Sequence, residues 1–433
     1  MNKNNLGRLH FYRWIVWFIL LMAYMIVVFQ RVSLNAVSYD LQKEFNMTAF
    51  GFSVIASAFP YAYMIMQIPV GMAVDYMGSR KTSATGILIT AFGSIIFSFA
   101  GNTWLLFLSR MLVGIGTATV FLSLLKIMIN WFYSRQFASI YGMTQVISYS
   151  GGTVAQTPLV IIVGAIGWRL TYEIVAAICF MVFLAIFILV RDKPAEMGLP
   201  SVEALEGRKE IQVKTNIFNA LKEVLRNRLI YPVIIGYASI YGSYIAFTGV
   251  WGIKYLTESS YQMSKIEAGN YSVTMTLGLA LGSFIIGKLS DSTKKRRIFL
   301  ILSSFIGTFG WAIIAFFKIS GGIPLHMITF LIGCSSAFVI IAITYTKEVN
   351  DPNYSAIAAS VTNFGGILGT AVLPMIIGVL YDMNQHLSLD LIWTKCIVML
   401  FAINVIGFMA SFFTKETGCQ NIYSGSGTNP SRT

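Results

Sequence analysis

The chain has 433 residues, of which 56% are hydrophobic and only 11% charged, and its net charge is +13. A soluble globular chain carries about 25% charged residues, so this sequence lacks the means to build a water-facing surface and is expected to lie in a bilayer. Basic residues sit between apolar blocks, which excludes a nucleic-acid partner; four cysteines without CxxC spacing and three scattered histidines exclude a disulfide framework and a metal centre.

The apolar blocks predict twelve spanning helices, over 14–38, 50–73, 82–101, 104–127, 138–164, 170–190, 229–253, 268–289, 298–317, 323–346, 355–381 and 391–413. Each approaches the roughly 20 residues that cross about 30 Å of hydrocarbon. Backbone groups in lipid must be satisfied within the segment, so the blocks are helices. They lack the apolar/polar alternation of a barrel strand. The first block has no small-residue cleavage site and is long enough to span, so it is not a cleaved signal.

With the N-terminus inside, the outer connections hold only Lys43, Arg169, Lys254, Lys265, Lys318 and Lys395, and the inner side holds nearly every other loop-borne Lys and Arg. This is the distribution of the positive-inside rule. It places both termini in the cytoplasm of a cell membrane, expected to be a bacterial inner membrane.

Residues 191–228 are polar and divide the chain into two sets of six. The expected organisation is an N-terminal six-helix bundle (1–190), a cytoplasmic linker (191–228) with a short amphipathic helix over 216–228, a C-terminal six-helix bundle (229–413), and a disordered cytoplasmic tail (414–433). The fold class is an all-α membrane protein, expected to be a monomer in the lipid bilayer. The halves repeat: Gly71, Asp75 and Arg80 recur as Gly287, Asp291 and Arg296, and Gly151-Gly152 and Gly164 as Gly365-Gly366 and Gly378. Half-chain repeats are typical of transporters whose two bundles rock about a central site. The glycine pairs are equally compatible with simple helix packing.

The stretch from Gly71 through Asp75, Gly78 and Arg80 to Lys81 resembles the signature loop of the major facilitator superfamily, and Arg110 with Gly114 and Gly116 resembles its fourth-helix motif. Within the superfamily the chain is similar to the anion:cation symporter family. The residues that carry this are Arg31 to Asn35, Ser57 to Tyr61 with Gln67 to Gly71, Trp131-Phe132, Gly167-Trp168-Arg169 and Arg191 to Pro194. The resemblance implies two six-helix bundles and secondary transport of an organic anion. Symporters of that family usually carry an acid before the first-helix arginine and another in the fourth helix. Here those places hold Gln30 and Thr117, which leaves exchange, facilitated diffusion or another protonation site open beside a co-transported proton or other ion.

Asp75 and Arg80, repeated as Asp291 and Arg296, read as gating residues. A carboxylate there can accept N–H bonds at a helix N-terminus and pair with an arginine, and such contacts favour one state of an alternating-access cycle. The second copy has Lys294 in place of Gly78, so its geometry is expected to be looser.

Charges inside spans are costly and point to function. Arg31 lies about 25 Å along its helix and Arg110 about 9 Å into its own, and Glu173 is near the outer start of the sixth, so all three share one layer. Two guanidiniums and one carboxylate leave surplus positive charge, which a carboxylate on a substrate would neutralise; Arg suits such groups through its bidentate fork. Arg31 is the candidate anchor, and Arg110 a coupling residue. Glu173 is either the counter-ion of Arg31 or the i,i+4 partner of Arg169. Lys126 is expected to snorkel to the inner surface.

The second half shows no comparable charge. Tyr237, Tyr241 and Tyr244 form a helical stripe, with Trp251 further along the same side. Tyr241, Tyr244, Asn363, Tyr61 and Gln67 complete the candidate binding residues, although aromatic stripes also serve as packing. No basic residue stands in the middle of the seventh span, which disfavours phosphate esters. The expected function is secondary active transport of a small organic anion or carboxylated metabolite. A neutral or zwitterionic substrate, such as an amino acid or short peptide, is the second reading, with Arg31 and Glu173 holding opposite ends. No nucleotide loop, cofactor motif or Ser/His/Asp set suggests an enzyme, and a non-transporting receptor is least favoured.

Overall fold

The computed structural model describes residues 3–202, 217–317 and 319–423. Among them every regular element is helical, and twelve helices are long and apolar enough to cross a membrane: Gly7–Val32, Ala49–Gln67, Ser79–Ser98, Thr103–Trp131, Ile140–Ile166, Trp168–Leu189, Arg228–Glu258, Lys265–Thr293, Arg297–Phe316, Ile323–Glu348, Ile357–Met383 and Leu389–Ser411. All twelve predicted segments are therefore present, with shifted ends. The first span starts earlier than expected and stops at Val32, where Ser33 separates it from a second helix, Leu34–Glu44. The seventh runs on to Glu258, so Lys254, placed by the sequence in an outer loop, lies inside the span and is only 7% exposed. That corrects the expectation of a second half without a buried charge.

Helix starts follow local chemistry. Thr48 accepts the Gly51 amide at the second span and Asn102 the Leu105 amide at the fourth, each filling an orphan donor of the first turn. Within the spans, close approach rests on small residues, as expected where lipid removes the hydrophobic drive to associate. A β-carbon on Gly114 would collide with the Phe59 carbonyl, and one on Gly151 with that of Met25. In the second half, Gly365 and Gly366 pack against Ile234 and the Tyr237 ring. The repeated glycine pairs are helix contacts.

The contacts cluster into two compact units that do not coincide with the two six-helix sets. The first comprises 1–211 with 245–276 and 371–393, the second 212–244, 277–370 and 394–433. In the first unit, one end of the first, second and fifth spans is stitched to segments of the seventh, eighth and eleventh. Asp382 accepts the amides of Ala49 and Phe50 at 3.0 and 2.7 Å, Ser53 donates to the Pro374 carbonyl at 2.8 Å, and Ser57 to that of Ala371 at 2.6 Å. Lys254 donates to Gln42 at 2.6 Å and Lys265 pairs with Asp40 at 2.9 Å. We call this the distal end.

The second unit is organised around Arg296. Its guanidinium bonds Asp291 at 2.6 Å and Glu348 at 3.0 Å, while Glu416 accepts the amides of Arg296 and Arg297 at 2.7 and 3.1 Å. Residues 414–423, expected to be disordered, dock here: Thr417 donates to Glu348, Asn421 to the carbonyls of Lys347 and Asn350, and Tyr423 to Glu223. Glu223 belongs to the helix Ile217–Arg226, which matches the amphipathic helix expected in the linker; its carboxylate pushes the Tyr423 phenol up to about 12. Residues 203–216 and 424–433 of the expected linker and tail lie outside the described residues.

Burial alone would lower the Arg296 pKa, but hydrogen bonds and charge from Glu348 and Asp291 outweigh it and hold it above its ordinary value. The cation is thus permanent, and removing a partner leaves it stranded. Breaking a buried pair from one side costs roughly 3 kcal/mol. Glu348→Ala should lower the detergent melting temperature by several degrees, and ending the chain at Phe413 should do likewise by removing the Glu416 cap. Unchanged melting curves for both would show that the cluster does not hold the unit together.

Candidate functional site

Arg31 ends the first span half-buried, with its guanidinium 5.6 Å from the Tyr63 ring centroid on the second span. Tyr24, two helical turns earlier on the same helix, lies within electrostatic reach of Arg31, Tyr63, Tyr141 and Tyr149. Inside the first unit, Tyr24 thus lies with the Arg31 cation and with phenols of the second and fifth spans in one neighbourhood. Its length along the first span, from Tyr24 to Arg31, is about 10 Å at 1.5 Å per residue.

Two amides complete the set. Gln145 donates to the Tyr141 hydroxyl at 3.3 Å, yet its Oε1 is buried with no hydrogen-bond partner; Nε2 of Gln67, one turn beyond Tyr63, is likewise unsatisfied. Buried polar atoms are nearly always paired, so one orphan acceptor and one orphan donor are what a hydroxylated ligand would satisfy. Tyr24, Tyr63, Tyr141, Tyr149 and Gln145 were not singled out from the sequence. Their only signal was polar residues at helical spacing within apolar spans.

Arg110 is 1% exposed and turns to the residue before Arg31: its Nη1 and Nη2 donate to Oε1 and the carbonyl of Gln30 at 3.2 and 2.8 Å. Gln30 in turn donates to Ser94 at 2.9 Å, and Phe59 places its ring 5.1 Å from the guanidinium. The cation is held by a neutral amide and a carbonyl. Thr117, the other position where an acid was absent, bonds the Val113 and Gly114 carbonyls of its own helix.

Arg169, one of the two partners expected for Glu173, is engaged elsewhere. Arg169 bonds Glu44 at 2.6 Å and the Ala100 carbonyl at 3.0 Å, and Trp168 donates to the other Glu44 oxygen at 2.8 Å. Glu44, at the end of the helix after Arg31, was overlooked because it sits among loop-like polar residues. Tyr61 reaches Met375 Sδ at 3.8 Å, so it takes part in the distal stitching. Lys126 donates to the Val74 carbonyl at 3.0 Å, a helix-end contact in place of simple snorkelling.

The signature loop is bonded to Asp192, beyond the sixth span. The Asp75 side chain lies outside the described ones. Arg80 donates its amide to Asp192 at 2.7 Å and its guanidinium to the Phe187 carbonyl. Gly78, at φ +87°, has no room for a β-carbon beside Asp192. Trp131 donates to the Arg191 carbonyl at 3.0 Å and Asn130 to that of Asp192 at 2.9 Å, so two of the sequence motifs meet here. In the second half, Lys294 stands at the corresponding position, also with a positive φ, +53°. Its loop, expected to be looser, is tied down by Asp291, Glu348 and Glu416.

In the second unit, Tyr237 donates to Asn363 Oδ1 at 3.0 Å, Tyr237 meets Tyr241 edge-on, and Tyr241 stacks on Tyr244, both at 5.6 Å. Tyr241 and Tyr244 are 7% and 3% exposed. Trp251 does not continue the stripe: residues Ala246–Trp251 wind as a π-helix, and its indole packs on Phe52, Tyr381 and Trp393 in the first unit.

Comparison with known proteins agrees with this architecture. The chain is 21% identical over 421 residues to the uncharacterized transporter YybO of Bacillus subtilis, covering 92% of this chain and 94% of that one. It is 21% identical to the probable L-galactonate transporter of Escherichia coli, covering 88% and 85%, and 25% identical to the probable galactarate/D-glucarate transporter GudP of Bacillus subtilis, covering 66% of each. A bacterial homologue of the human lysosomal transporter Spinster, solved inward-facing and occupied, superposes with a TM-score of 0.74 at 18% identity over 94% of this chain and 97% of that one. The family model of the Major Facilitator Superfamily matches residues 20–374. With twelve helices fit to span and that match over most of its length, the chain is a multi-pass membrane protein belonging to the Major Facilitator Superfamily.

Proposed function

We propose that the protein carries a small hydroxylated carboxylate of the acid-sugar class across the cytoplasmic membrane by alternating access, with Arg31 as the carboxylate anchor. The observation that carries this reading is a half-buried guanidinium facing the Tyr63 ring, with Tyr24 in electrostatic reach, one residue after Gln30, whose amide and carbonyl accept from the buried Arg110. A membrane interior tolerates buried positive charge poorly, and a substrate carboxylate fits the guanidinium fork. Phenols and orphan amides suit the hydroxyls of a sugar acid. The names of the L-galactonate and galactarate/D-glucarate relatives support the same class. With the termini in the cytoplasm, as the distribution of Lys and Arg favours, the distal end faces outward and its stitches describe a closed outer gate.

Coupling does not run through the two positions where an acid is missing. Gln30 is fixed between Arg110 and Ser94, and Thr117 is spent on its own helix, so neither can take up a proton. We therefore read the carrier as an exchanger of organic anions.

Uptake of labelled L-galactonate or galactarate into reconstituted vesicles tests both statements. Arg31→Lys keeps the charge and loses the fork; a lost charge-assisted pair is worth about 1.5–3 kcal/mol, so kcat/KM should fall by about 10- to 100-fold with the melting temperature unchanged. Wild-type flux in that variant removes Arg31 as the anchor, and the absence of saturable flux for every acid sugar tried removes the substrate class. Loading the vesicles with the same anion should accelerate uptake, whereas an inward pH gradient should not; the opposite pattern would establish proton symport.

A further inference from the structure

The π-helical turn Ala246–Trp251 interrupts the seventh span inside the first unit. Single π-turns within helices recur at functional sites, and here the irregular backbone is completed by side chains from the first half of the chain. Asn35 Nδ2 donates to the Thr248 carbonyl at 2.9 Å and to that of Phe247 at 3.3 Å, while Asn35 Oδ1 accepts the Ile253 amide at 3.2 Å. Gln156 Nε2 donates to the same Thr248 carbonyl at 2.9 Å. A carbonyl oxygen has two lone-pair sites, and two amides stand at that distance from this one. Asn35 and Gln156 are both 0% exposed. Gln156 is itself presented by a break in the fifth span, where the helix ends at Val154 and restarts at Thr157.

We propose that Asn35 and Gln156 are positioning residues that keep the seventh span wound as a π-turn while the distal gate is closed, and that the turn relaxes toward α-helix when the gate opens. This rests on the alternating-access reading above. The physical reason is the cost of leaving backbone groups unpaired away from water. When the halves part, the Ile253 amide loses Asn35 Oδ1, and an α-helical register gives it a carbonyl of its own helix; the Phe247 carbonyl already accepts the Gly252 amide of the π-turn. Re-registering by one residue turns the segment beyond by about 100°, which carries Lys254 away from Gln42 and breaks the adjacent stitch.

The same geometry ties the turn to the candidate anchor. Asn35 lies one helical turn after Arg31, and a β-carbon on Gly249 would lie 3.3 Å from the Arg31 carbonyl. The turn therefore packs directly on the backbone that carries the guanidinium, and movement of Arg31 on binding an anion is passed to it without an intermediary.

Two readouts that need no substrate test this. Nitroxides at Lys43→Cys and Gln262→Cys, both exposed at the distal end, report gate opening by their separation in nanodiscs when the native cysteines are replaced by alanine. Hydrogen exchange over 245–256 reports the turn. Asn35→Leu fills the volume without polar atoms and should lengthen the distance distribution and speed exchange at least tenfold. Asn35→Asp, which keeps the acceptor and turns an oxygen on the carbonyls, should do the same. Wild-type distances and exchange in both variants would overturn the proposal, because packing alone would then hold the gate. Should the Asn35 variants not fold, Gln156→Met, which removes one of the two amides on Thr248, must shift both readouts in the same direction; no shift is equally fatal. Failure of acid-sugar flux in the wild type would instead sink the substrate assignment and leave these readouts untouched.

Discussion

Every backbone N–H and C=O placed in hydrocarbon needs a partner, and the architecture of this chain follows from that requirement. Regular helices meet it alone. The instructive places are where the helices are irregular, and at the distal end of the first unit each such place is repaired from outside its own helix. Pro374 lies inside the helix of the eleventh span, and its carbonyl accepts both Ser53 and the Trp251 indole. The Ala371 carbonyl takes Ser57, and the π-turn takes Asn35 and Gln156. Segments distant in sequence are thereby joined by side-chain donors to main-chain carbonyls.

Charge is handled differently at the other end of each half. Asp192 accepts the amide that opens the third span and Glu416 the amides that open the ninth. In both halves the acid follows the last helix of its six and tethers the start of the third. A carboxylate at a helix N-terminus gains from the dipole as well as from the hydrogen bonds, so these contacts brace each half internally. The buried arginine of the fourth span has no such acid among its hydrogen-bond partners, and the Gln30 amide serves instead.

Much of this was legible in the sequence. Twelve apolar blocks and the repeat of Asp75 and Arg80 as Asp291 and Arg296 follow from spacing and hydropathy. What failed did so for identifiable reasons. Lys254 was assigned to a loop because hydropathy cannot distinguish a lysine at a span's end from one whose ammonium is received by Gln42 and the Tyr381 ring. The pairing of Arg169 with Glu44 over Glu173 depends on how the chain turns at Phe45, which helical periodicity does not encode. A π-turn shifts the register by one residue, so the stripe drawn from Tyr237 through Tyr244 could not be extended to Trp251. Tyr24, Tyr63, Tyr141 and Tyr149 look like packing aromatics until their helices are placed side by side.

Lys294 carries a β-carbon in a conformation that favours glycine, at a strain of about 1 kcal/mol. The first half has Gly78 at the corresponding position, where a positive φ brings no such strain. A lysine, however, contributes a cation to the run Lys294, Lys295, Arg296 and Arg297, and runs of this kind are what hold a short loop on the cytoplasmic side during insertion. The second half thus carries more positive charge in this loop at the expense of a strained backbone.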